Sequence, residues 1–79
     1  MSTQTAGMVL DLKGLLCPMP VIKLAKAIKE ISVGETIEAL ATDPGVMADI
    51  PAWCRTTGNE LVTLEKIEKQ FRFVVRRLK

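Results

Sequence analysis

Asp11-Leu12-Lys13-Gly14-Leu15-Leu16-Cys17-Pro18-Met19-Pro20-Val21 is the stretch in which this chain changes its periodicity. Upstream, Met8 to Leu12 is a short apolar run that fits a strand, and Lys13-Gly14 begins a turn. Downstream, Val21, Leu24, Ala25, Ile28 and Ile31 recur at a helical spacing, which predicts a helix from Pro18 to Ile31. Its outward face carries Lys23, Lys26, Lys29 and Glu30. Pro18 suits the first helical position, where a missing N–H costs nothing, and it pushes Cys17 into an extended conformation. Cys17 is thereby placed at or next to the N-cap, facing the free first-turn amides and the positive end of the helix dipole. Pro20 removes another donor, so the amides of Met19 and Val21 are those left to serve the sulfur. With Lys13 and Lys23 as the nearest cations, the thiol is expected to ionise below its ordinary value of about 8.5.

The rest of the chain extends this start into β-α-β-α-β-β. Gly34 to Thr42 reads as a strand with Ile37, Ala39 and Ala41 on its buried face, and Asp43-Pro44-Gly45 as a turn. A second helix is predicted over Val46 to Thr57. Pro51 is awkward inside it, so its regular part is expected only from about Asp49. Gly58-Asn59 stops that helix. Glu60 to Ile67 alternates as a strand, Glu68-Lys69-Gln70 connects, and Phe71 to Leu78 returns as a hairpin. The expected fold class is α/β: a two-layer sandwich with a mixed four-stranded sheet and both helices on one face. Residues 1–7 are expected to be a flexible tail and residues 8–79 one domain.

Composition narrows the chemistry. With 79 residues the core is thin, and a net charge of +2 is too small to argue for nucleic-acid binding. No apolar run reaches membrane-spanning length, and the first residues lack the basic and apolar regions of a secretion signal, so a cytoplasmic protein is expected. The chain has no histidine and two distant cysteines. That excludes a Cys-His nucleophile pair, a C-x-x-C redox site and a four-ligand zinc site. No phosphate loop or dinucleotide fingerprint is present. Neither metal nor cofactor is expected, and the remaining chemistry is that of sulfur itself.

Asp11, Gly14, Cys17, Pro18 and Pro20 resemble the D-x-x-G-x-x-C-P-x-P signature of the TusA/SirA sulfur-carrier family. The likeness continues through Gly34-Glu35, Thr42-Asp43-Pro44, Asp49-Ile50-Pro51, Cys54, Gly58-Asn59-Glu60-Leu61 and the closing strand from Phe71 to Arg77. The resemblance implies the two-layer sandwich seen in the C-terminal domain of bacterial translation initiation factor three. It also implies a sulfurtransferase that accepts sulfur as a persulfide on Cys17 and relays it to an acceptor protein. The donor would be a cysteine desulfurase or rhodanese. The acceptor would serve tRNA thiolation, molybdenum-cofactor synthesis or dissimilatory sulfur oxidation. Direct contact with nucleic acid or membrane is not part of that role.

Within this reading Asp11, Lys13, Gly14, Pro18, Met19 and Pro20 support the thiolate or its turn. The family often has arginine near position 13, so Lys13 keeps the charge but loses the planar fork. Leu15, Leu16, Lys23 and Lys26 are candidates for partner docking. Cys54 shares a helical face with Met47 and Ile50 and is read as core, and Trp53 as a half-buried packing residue. Two other functions fit parts of the sequence. One is a regulatory module of the same fold, using its basic face on protein or RNA. The other is a redox sensor pairing Cys17 with Cys54, which needs Cα atoms within about 7 Å.

Overall fold

The computed structural model describes residues 6–79. Strand β1 (Ala6–Leu12) starts two residues earlier than the sequence suggests, and the rest of the expected tail lies outside the described residues. Helix α1 (Met19–Ala27) tightens into a 3₁₀ turn over Ile28–Glu30, so the predicted helix is two pieces. Strand β2 (Thr36–Ala41), helix α2 (Val46–Thr57), strand β3 (Glu60–Ile67) and strand β4 (Gln70–Arg76) complete the chain.

The sheet order is β1-β2-β4-β3, with β1 parallel to β2 and the other pairs antiparallel. A parallel pair requires a long crossover, which α1 supplies, whereas β3 and β4 need only the two-residue turn Glu68-Lys69. Period-two alternation sends Ile37, Ala39 and Ala41 of β2 and Phe71, Phe73 and Val75 of β4 to one face. Leu24, Ala27 and Ile28 cover that face from the first helix, and Val46, Ile50 and Cys54 from the second. Each large side chain buried this fully contributes about 1.5–3 kcal/mol.

Two local expectations are corrected. Helix α2 is regular from Val46, despite Pro51 in its interior. Pro51 stands early in the helix, so its missing N–H removes one bond, to the carbonyl a turn back, while later turns close normally. The alternation of β3 is also broken, because Leu61 pairs with Val75 but Thr63 pairs with Val74. That bulge absorbs one residue, leaving Val62 44% exposed while Leu61 and Leu64 both pack against the core.

The second face of the sheet mixes ion pairs with Val9, Leu40 and Val74. Arg72 on β4 bridges Glu38 of β2 at 2.6 Å and Glu65 of β3 at 2.9 Å, and Arg76 meets Glu60 at 2.8 Å. No helix among the described residues is long and apolar enough to cross a membrane.

Candidate functional site

The loop from β1 to α1 is fastened at each step by backbone bonds. The Lys13 amide donates to Asp11 Oδ1 at 3.0 Å, and the Leu15 amide to the Leu12 carbonyl at 3.2 Å. Gly14 has φ +83, a left-handed conformation that a side chain would strain, and its amide donates to Thr42 Oγ1 at 2.9 Å. The Cys17 amide donates to Asp43 Oδ2 at 2.7 Å. The Met19 amide donates to the Leu16 carbonyl at 2.8 Å, across a cis Cys17–Pro18 peptide. Pro18 is the N-cap of α1, so Cys17 stands one position outside the helix.

The other wall of the site is the start of α2. Asp43 closes its own turn by accepting from the Gly45 amide at 3.2 Å, and its carbonyl accepts from Val46 at 3.2 Å. Asp49, in the first turn of α2, accepts from Cys17 Sγ at 3.0 Å. Both helices therefore begin near Cys17, and Asp49 of the second one, with Asp43 of the turn before it, frames the cysteine. Gly45 packs directly beside the three groups. A Cβ there would lie 3.3 Å from Asp43 Oδ2, 3.5 Å from Asp49 Oδ2 and 3.6 Å from Cys17 Cβ.

This geometry reverses the expected acidity of the thiol. Cys17 is exposed, yet its pKa is raised, first by the hydrogen bond to Asp49, then by desolvation and by the negative charges of Asp49 and Asp43. A carboxylate that accepts from S–H favours the protonated form and repels the thiolate. The start of α1 alone would favour the anion, but the decisive groups come from α2. The Met19 amide is also not available to the sulfur, because it is spent on Leu16.

The remaining predicted residues fall into two groups. Asp11 and Gly14 shape the turn, and Pro20 is buried beneath it. Lys13 turns to Asp11, with Nζ 3.8 Å from Oδ1, and is not bonded to the thiol. Leu16 is 71% exposed, Leu15 is half-buried, and Lys23 and Lys26 are exposed on α1. Cys54 is buried as expected, with its thiol pushed up to about 11 by burial. It shares the inner face with Val46 and Ile50, whereas Met47 is 43% exposed and does not belong to that face. Among the described residues both cysteines are free. Asp43, Gly45 and Asp49 were not among the expected site residues. Their only sequence signal is that they fall in or beside segments 42–44 and 49–51, which carry part of the family likeness.

A mixed four-stranded sheet under two helices, with one exposed cysteine where both helices start, defines a class of small α/β proteins that present a surface thiol. The family description "Sulfurtransferase TusA" matches residues 8–77, and the chain belongs to that family. Two proteins of Archaeoglobus fulgidus named as sulfur carriers are similar to it. One is 41% identical over 90% of this chain and 97% of its own length. The other is 49% identical over 87% and 91%. The sulfur carrier protein TusA of Allochromatium vinosum is 35% identical over 86% of this chain and 90% of its own. In three dimensions the chain is similar to a SirA-like protein from Desulfitobacterium hafniense, with a TM-score of 0.77. That likeness covers 91% of this chain and 99% of the other at 22% identity, which bears on the fold alone.

Proposed function

We propose that this protein is a stoichiometric sulfurtransferase that carries sulfur as a persulfide on Cys17 between a donor and an acceptor protein. The observation that carries this reading is the exposed Cys17 sulfur, fixed from both sides by the C-P-x-P turn and the Asp43–Asp49 wall. In loading, the Cys17 sulfur attacks the outer sulfur of a donor persulfide. A new S–S bond forms at Cys17, the donor's S–S bond breaks, and the donor departs as a thiol carrying the proton that Cys17 releases. The exchange is a displacement at sulfur with no net oxidation, and it requires neither metal nor nucleotide.

Asp49 tunes both steps of the relay. In the empty carrier its carboxylate holds the thiol proton, which protects Cys17 from unwanted alkylation or oxidation. Once sulfur is attached, Sγ has no proton to donate, and Asp43 and Asp49 repel the terminal anion. The loaded state is thus less stable than a neutral surrounding would make it, which favours hand-off to an acceptor and opposes loading to the same extent. The sulfur donor is a cysteine desulfurase or rhodanese in this reading.

Incubation with a cysteine desulfurase and cysteine, or with polysulfide, is expected to add the mass of one or more sulfur atoms by intact-mass spectrometry. Cys17→Ser is expected to abolish that gain. Equal loading of the variant would overturn the assignment.

A further inference from the structure

At the far ends of the helices, the 3₁₀ turn, the last turns of α2 and the segment after β4 enclose a half-open cavity of about 260 Å³. It begins at Ala25, eight residues beyond Cys17 and roughly 12 Å along the helix axis, and shares no lining residue with the sulfur site. Its floor is apolar, made by the buried Ile28 and the half-buried ring of Trp53. Its rim holds three cations, Lys29, Arg77 and Lys79, and no carboxylate side chain.

The polar neutral groups of the cavity are already engaged. The Thr57 hydroxyl donates to the Trp53 carbonyl at 2.8 Å, the Asn59 side-chain nitrogen donates to Thr57 Oγ1 at 3.1 Å, and Asn59 Oδ1 accepts from the Leu78 amide at 3.0 Å. Lys29 and Lys79 are not. The ion pairs among the described residues use Lys13, Arg72 and Arg76 instead. Arg77 is anchored by the Ile31 carbonyl, to which it donates at 2.6 Å, and by an oxygen of Lys79, the last residue of the sequence, at 3.4 Å. Its guanidinium keeps further N–H donors and meets no acidic side chain.

An apolar floor beneath a rim of cations, two of them (Lys29 and Lys79) without an ion pair among the described residues, is complementary to a molecule with one apolar ring and one negative group. The volume lies just below the range of pockets that hold drug-sized ligands, so it suits a single ring. We propose that this groove binds a small aromatic carboxylate, with the ring against Ile28 and Trp53 and the carboxylate among Lys29, Arg77 and Lys79.

Phenylacetate tests this directly, because Trp53 is the single tryptophan of the chain and reports on its own cavity. Titration is expected to change Trp53 emission saturably, with a dissociation constant on the order of 1 mM or tighter. Backbone amide shifts should cluster at the groove and spare the Cys17 loop. Neutral phenylacetamide and ring-free acetate should each bind more weakly. Combining Lys29→Gln with Lys79→Gln, both at exposed positions, should weaken phenylacetate roughly three- to tenfold and leave the rest of the amide spectrum in place. Absence of saturation well above that range, equal binding of phenylacetamide, or shifts centred on Cys17 would overturn the proposal.

Discussion

Asp49 is the residue on which the behaviour of the site turns. It is the first cause of the raised Cys17 pKa, through a hydrogen bond that only the protonated thiol can donate. Asp49→Asn removes that charge and should move the pH profile of Cys17 alkylation to lower pH. Thiolate near neutrality grows about tenfold for every tenfold rise in the thiol's acid constant, so reaction with iodoacetamide at pH 7 should quicken. The loaded variant should also hold its sulfur longer in the presence of an acceptor. An unchanged alkylation profile would show that Asp49 is a bystander. The opposite expectation followed from the helix start alone, because a cysteine ahead of C-P-x-P meets a positive dipole in any isolated helix.

At the scale of elements, helix α2 contributes both the acidic wall and, one face round, the buried Cys54. Its folded pKa of about 11 lies above the ordinary thiol value, so in alkali the unfolded chain has lost protons that the folded one keeps. Stability from this group is therefore complete below about pH 9 and declines as the pH rises toward 11, by at most about 2–3 kcal/mol. Denaturant unfolding of Cys54→Val against the parent should show a shallower alkaline decline, with sulfur loading at Cys17 intact. A parallel decline in the two proteins would rule out Cys54 ionisation as its cause. In the sheet, Arg72 ties three strands together through Glu38 and Glu65. These side chains are about one-third to one-half exposed, so solvent weakens each pair. Arg72→Gln should cost about 1 kcal/mol, measured by urea midpoint, and the difference should shrink as salt is added.

For the whole molecule, the Cys17 end combines apolar and charged surface. Leu16, Met19 and Ile22 follow or precede the cysteine closely and are 71%, 39% and 51% exposed, and Met47 at the start of α2 is 43% exposed. Lys23 and Lys26 extend along α1 beyond them. An apolar contact with a basic flank favours partners that present acidic groups, and it speeds encounter at low salt. Lys23→Glu with Lys26→Glu should slow sulfur transfer from a protein donor while leaving loading by polysulfide unchanged. Equal transfer by parent and variant at low ionic strength would mean that these lysines only solvate the helix.

The sequence by itself determined the element order, the sheet's buried face and the exposed cysteine. Those follow from periodicity, from Pro18 and from turn residues, all of which act over a few neighbours. It also placed Cys54 in the core, since Ile50 and Cys54 recur one helical turn apart. It did not reveal that Met47 leaves that face, that β3 carries a bulge, or that α2 tolerates Pro51 from Val46 onward. Tertiary structure alone decided the protonation of Cys17. Asp43 and Asp49 are 26 and 32 residues away in the chain, and only the packing of α2 beside the β1–α1 loop brings them to the sulfur. Charge acts through space, so a site assembled from two helix starts cannot be valued from the local sequence of one.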